Sequence, residues 1–317
     1  MGSNNDEAEQ VSPLAQQALA SWSVPPYFTA AVIAAGLLYG RGFRRLHRRM
    51  PRRFPLWRLA AYLGGLGMLL IAIASPLAAF DELLLQVHMT QHMLLMFAAP
   101  PLILLGAPQI PLLHGLPRSV ARRVAGPLLK SRPAGQVADL LTHPAICWLA
   151  LAGATWAWHA PGPYQLALRS EGWHEVEHGC FIAGAMLFWW PVVQPWPSQP
   201  RWPRWTTLPY LLLADVQNTA LSAWLTFSDR VLYPCYETVP RLGGIKALDD
   251  QIAAGVIMWV PGSLFFLIPA AVIVLRLLSA PGAIDPSTLE KVGLANRAAG
   301  AARLGTDKGK GVRSTWR

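Results

Sequence analysis

Apolar residues fall along this chain in long, nearly unbroken runs separated by short polar connections, without the alternation that marks half-buried strands. The runs predict helices over roughly 26–40, 56–78, 83–105, 143–159, 174–193, 207–227 and 251–278. Most have the length that carries a helix through a bilayer core, about 20 residues. Helix is the expected form there because lipid offers no partner to unpaired backbone groups. Proline and glycine punctuate most run ends, at Pro25-Pro26, Gly40, Pro76, Pro108, Pro144, Pro161-Gly162-Pro163, Pro195 and Pro209. The expected fold class is all-α: a polytopic membrane protein, a bundle of about seven transmembrane helices spanning residues 25–280. A polar segment, residues 1–24, precedes it. Residues 281–317 form a basic tail without helical periodicity, whose composition predicts disorder.

Composition agrees, with 53% hydrophobic and only 14% charged residues, against about 25% charged in an average soluble domain. The net charge of +10 would fit a nucleic-acid binder if the cations were spread over one face. They are concentrated instead in short connections: Arg41, Arg44, Arg45, Arg48, Arg49, Arg52, Arg53 and Arg58, then Arg118, Arg122, Arg123, Lys130 and Arg132, then Arg201 and Arg204. Basic residues beside apolar spans mark the cytoplasmic side. This predicts an inner (plasma) membrane protein with the N-terminus outside, the C-terminus cytoplasmic, and no nucleic-acid partner. Membrane lipid is the expected partner of the basic tail. The 79–82, 160–173 and 228–250 connections then face outward. Cys147, Cys180 and Cys235 have neither metal-ribbon nor disulfide spacing.

The drawn topology gathers the ionisable residues on the outer side. His88 and His92 stand four apart, which puts both imidazoles on one helix face. His159 closes the fourth run, while His174 and His178, again four apart, open the fifth. Asp81, Glu82, Asp249 and Asp250 lie at the same level. Met89, Met93 and Met96 accompany the first histidine pair. Ionisable groups in spans are costly and mark function, and imidazole with thioether suits copper better than hard cations. The candidate metal ligands are therefore His88, His92, His159, His174, His178, Met89, Met93 and Asp250. Ligand exchange alone requires no catalysis, so no enzyme activity is expected.

Other readings compete. His174-Glu175-Val176-Glu177-His178 matches the H-E-x-x-H pattern of zinc metalloproteases, with Glu175 as the base. A pair of transmembrane histidines can also hold haem. A scaffold without metal would use the same histidines to tie helices together.

Several ordered blocks carry a resemblance. They are His88-Met89 through Gln91-His92-Met93-Leu94-Leu95-Met96, Ala99-Pro100-Pro101, Leu105-Gly106-Ala107-Pro108, His143-Pro144, Trp158-His159 with Pro163-Tyr164, and His174 with Glu177-His178. Phe188-Trp189-Trp190-Pro191 and Asp250-Gln251 through Met258-Trp259-Val260-Pro261-Gly262 follow. In this order, across residues 56–278, the chain resembles the multi-span CtaG family of cytochrome c oxidase assembly factors, which is distinct from the single-span chaperone sharing that name. The resemblance implies a role in producing active haem–copper oxidase, with copper supply the usual proposal. It points at His88, His92, His159, His174, His178 and Asp250. The implied partners are haem–copper oxidase subunits and a periplasmic copper chaperone.

Overall fold

A computed structural model describes residues 22, 25–127, 131–200, 202–240 and 244–279. The predicted N-terminal segment, Trp22 apart, and the basic tail lie outside the described residues. The chain divides into two units, residues 1–270 and 271–317. The described part of the second consists of the last turns of the final helix and Ser279.

The described residues are helical with no strand. In chain order the principal helices are α1 (Pro26–Arg49), α2 (Leu56–Phe80), α3 (Leu85–Leu105) and α4 (Gln109–Gly115). Then come α5 (Arg132–Leu141), α6 (Pro144–His159), α7 (Pro161–Arg169), α8 (Glu171–Val193), α9 (Thr207–Thr226) and α10 (Ala247–Leu278). A helix stands at every predicted position. Four of them, α2, α3, α8 and α10, are long and apolar enough to cross a membrane, and the pair α5 and α6, bent by 63°, would count as a fifth. The arginines at the end of α1 and the polar Asp215, Gln217 and Asn218 of α9 dilute the apolar character of those two helices.

Local chemistry sets the boundaries. Pro26 and Pro144 occupy first helical turns, where a missing N–H is not needed. His143 caps α6, its Nδ1 accepting from the Ala145 amide at 3.3 Å. α2 breaks at Ser75-Pro76, where the proline removes a helical donor.

α3 is the central helix. Of its apolar window 61% is buried, against 22% for α10, whose Val260, Leu264 and Ile268 are exposed in the manner of lipid-facing residues. One core joins Tyr39 and Phe43 of α1 to Tyr62 and Leu66 of α2 and Ala99 and Ile103 of α3. There Tyr39 stacks on Tyr62 with centroids 3.8 Å apart and donates to the Gly106 carbonyl at 2.7 Å. Such a buried pair contributes about 1 kcal/mol beyond its area. A second core joins Leu85 and Met89 of α3, Tyr164 of α7, Leu221 and Leu225 of α9, and Met258 of α10.

Asp250 of α10 fixes the start of α3. Its Oδ2 accepts from the Leu85 amide at 2.7 Å and its Oδ1 from the Gln86 amide at 3.1 Å. The carboxylate thus satisfies amides that a helix N-terminus leaves orphaned and meets the positive end of the dipole. Asp250→Ala is expected to destabilise the protein by about 2–4 kcal/mol, because buried donors lose a charged acceptor. Thermal unfolding in detergent measures this, and Asp250→Asn, which keeps one acceptor, should lose less.

Candidate functional site

His88 and His92 project from the N-terminal half of α3, one turn apart and almost completely buried, with ring centroids separated by 4.3 Å. α8 faces them with His174, Glu177 and His178. Spacings of three and four residues place those three on one helix face. Glu177, fully buried, comes to both α3 histidines: Oε2 lies 3.9 Å from His88 Nε2, and Oε1 lies 3.8 Å from His92 Nε2. His174, the most exposed of the five, stacks on His88 at 5.2 Å and places its Nε2 3.9 Å from Asp81 Oδ2. His178 lies 4.2 Å from His174 and 5.8 Å from His92, ring to ring. His159, at the end of α6, is 6.0 Å from His92. Its Nδ1 bonds the Thr155 carbonyl at 2.7 Å, which fixes the orientation of the ring and leaves Nε2 available.

Two groups of ligand atoms converge, each within 4.8 Å: His88, His92 and Glu177, and Asp81, His88 and His174. A metal–nitrogen bond of about 2.0–2.1 Å separates neighbouring ligand atoms by roughly 3–4 Å, the range of the His–Glu and His–Asp spacings here. Both ring nitrogens of His88 and His92, Nε2 of His159 and His178, and both Glu177 oxygens are buried without a hydrogen bond. Buried polar groups rarely go unpaired, since each costs about 1–3 kcal/mol. A cation among them would satisfy several at once. Asp81, which follows α2, has its pKa pushed up to about 7, first by burial and then by neighbouring Glu82.

A cavity of about 630 Å3 reaches this cluster, bordered by Asp81, Glu82, His174, His178 and the exposed Glu171 and Glu175. Tyr164, Tyr233 and Tyr236 also adjoin the cluster. Tyr164 stacks on Tyr233 at 3.9 Å and bonds Tyr236 at 3.0 Å, and its ring lies 5.2 Å from that of His88. Tyr236 donates to the Asp81 carbonyl and Tyr233 to that of His159, at 2.7 and 2.8 Å.

The five histidines expected from the sequence thus come together. Of these, His88, His92 and His174 belong to the two ligand groups, while His159 and His178 stand beside His92 and join neither among the described residues. The remaining three candidates also stand outside both groups. Met89 packs in the core beside Tyr164 and Leu221, Met93 lines the α3–α10 contact at Gly262, and Asp250 caps α3. Glu177 and Asp81, absent from the expected set, supply the carboxylates of the two groups. Glu175, the base of the protease pattern, is exposed, and the His174/His178 pair belongs to no common three-ligand group among the described residues. Glu177 was detectable in the sequence as the position three after His174 and one before His178, on their face.

Fold and site together define a helical membrane protein with a buried histidine–carboxylate cluster near one end of its bundle. The family described as cytochrome c oxidase caa3 assembly factor (Caa3_CtaG) matches residues 37–280, and the chain belongs to that family. Similar curated proteins include uncharacterised proteins of Mycobacterium bovis and Mycobacterium tuberculosis. Each is 29% identical over 262 residues, covering 78% of this chain and 38% of the relative. One from Mycobacterium leprae is 26% identical over 249 residues, covering 75% and 36%. The chain therefore spans less than two fifths of the length of these relatives. No solved structure matches.

Proposed function

We propose that this assembly factor binds copper as cargo at the histidine–carboxylate cluster and supports its delivery to the oxidase. In this reading all seven long helices span the inner membrane, with the cluster on the periplasmic side and the arginine-rich connections in the cytoplasm. The observation that carries the reading is the convergence of His88, His92 and Glu177, all buried and all with donor atoms lacking a hydrogen bond. Nitrogen and oxygen donors of this kind suit Cu(II), and zinc by the same chemistry. The oxidase-assembly family favours copper, the metal of haem–copper oxidase.

The chain's residues divide the work. Glu171, Glu175 and Glu82 at the cavity attract a hydrated cation. His174 and Asp81 replace part of its water, and His88, His92 and Glu177 replace more. Two carboxylates, when ionised, offset the charge of one divalent ion and so reduce the penalty of burying it. Release to an oxidase subunit or a periplasmic copper chaperone would reverse these exchanges without covalent chemistry.

Elemental analysis of the purified, copper-loaded protein tests the reading. Near-stoichiometric copper is expected in the wild type. Glu177→Gln keeps the shape and removes the charge, and should weaken binding at least tenfold. Zinc in place of copper would return attention to hydrolytic chemistry. No metal in the loaded wild type would leave a scaffold whose histidines only join helices.

A further inference from the structure

A second cavity, of about 680 Å3, lies at the opposite end of α1 from the histidine cluster, bordered by Arg45, Arg48, Arg49, His114 and Arg118. Tyr27 and Phe28 of α1 border the first cavity, and the arginines that border the second follow about 20 residues later. At 1.5 Å per residue the two cavities are about 30 Å apart along the helix, the thickness of a bilayer's hydrocarbon core. On the proposed reading that α1 spans the membrane, the arginine cavity sits at the depth of phospholipid headgroups on the face opposite the histidine cluster.

Its walls are firmly built. Gly42 of α1 lies against the Pro111 carbonyl and Gly115 against that of Leu38, so α1 and α4 meet backbone to backbone. Arg45 donates from Nη1 to the His114 carbonyl at 2.6 Å, which fixes its guanidinium across the seam and leaves other N–H groups free to point elsewhere. Residues 10–80 and 83–138 contain no Asp or Glu, and among the described residues none of these arginines forms an ion pair with a carboxylate. Four exposed arginines bordering one cavity, with no carboxylate paired to them among the described residues, favour an anion with several acceptor oxygens. Leu46, Leu113 and Leu116 add an apolar rim, which suits a ligand carrying hydrocarbon beside its charge.

We infer that this cavity is a binding site for the phosphodiester headgroup of an anionic phospholipid. Arg48, Arg49 and Arg118 hold the phosphate oxygens, and the leucine rim meets the glycerol and the first acyl carbons. The arginines thus do more than set topology: a bound lipid anchors α1 to α4 and the segment that follows α4.

Native mass spectrometry of the full chain in detergent, titrated with dioleoylphosphatidylglycerol, tests the site. The wild type should retain this lipid at least tenfold more tightly than dioleoylphosphatidylcholine. The Arg48→Ala/Arg49→Ala/Arg118→Ala variant should lose that preference. Arg41→Ala/Arg44→Ala/Arg52→Ala removes the same charge outside the cavity and should change affinity less than twofold. Arg118→Glu alone leaves α1 untouched and should weaken binding at least tenfold, so it decides the matter if the triple variant does not fold. Equal losses in the two triple variants, or equal retention of both lipids, would overturn the site as diffuse surface attraction. Displacement by millimolar inorganic phosphate would overturn the lipid as occupant in favour of a free phosphate.

Discussion

On the proposed copper reading, replacing His88 with alanine is expected to abolish copper retention, lowering affinity about a hundredfold or more, the largest functional loss of any single substitution in the cluster. His88 alone belongs to both ligand groups, with His92 and Glu177 on one side and with Asp81 and His174 on the other. Loss of a residue that merely supports a ligand already costs about 10–100-fold in metal affinity, and His88→Ala removes a donor from both groups at once. His174→Ala provides the contrast. It opens only the group nearer the cavity and should leave the His88–His92–Glu177 group able to hold an ion that loads more slowly. Equilibrium dialysis against buffered copper, with elemental analysis of the retained metal, separates the two. Equal affinities in the two variants would contradict His88 as the shared ligand. Folding is checked on the same samples by size exclusion, since the alanine also leaves Glu177 without one of its two histidine neighbours.

The sequence made the positions of the long helices legible because run length and proline punctuation are local signals. It also made the five histidines legible, because helical spacing and topology bring them to one level. The donor set was less accessible. Met89, Met93 and Asp250 share that level; both methionines are buried, Met89 beside Tyr164 and Leu221, and the Asp250 carboxylate reaches the start of α3. That start lies 165 residues away in sequence from Asp250, and no local pattern encodes such a pairing. The letters of H-E-x-x-H draw attention to Glu175, whereas the 174, 177 and 178 spacing selects Glu177 for the buried face. The π-turn Leu94–Ala98 in α3 has no clear sequence mark either. It begins two residues after His92, and within it the Met96 carbonyl accepts from Trp189 Nε1 of α8 at 2.9 Å. Such turns occur often at functional sites, and this one ties together the two helices that carry the cluster.

The largest loss of stability is expected at Gly42, in a part of the fold remote from the histidines. A Cβ there would overlap the Pro111 carbonyl oxygen and come within 2.8 Å of the Gly115 amide nitrogen. Both obstacles are backbone, so no side chain can rotate away, and α1 and α4 must separate. Forcing atoms into a packed contact typically costs about 1–3 kcal/mol. A backbone obstacle on both sides places Gly42→Ala at the upper end or beyond, at about 3 kcal/mol or more. Gly40, two residues earlier on the same helix, provides the control, because its added Cβ meets nothing within 4 Å. Gly40→Ala should be neutral or slightly stabilising, since alanine exceeds glycine in helix propensity by about 1 kcal/mol. Thermal unfolding of the two variants in detergent therefore compares the same chemical change on the same helix, differing only in what faces it. Similar midpoints would mean that α1 and α4 are not held in backbone contact. A large fall for Gly42→Ala alone would establish the seam across which Arg45 reaches the His114 carbonyl. The arginine cavity takes its shape from that seam.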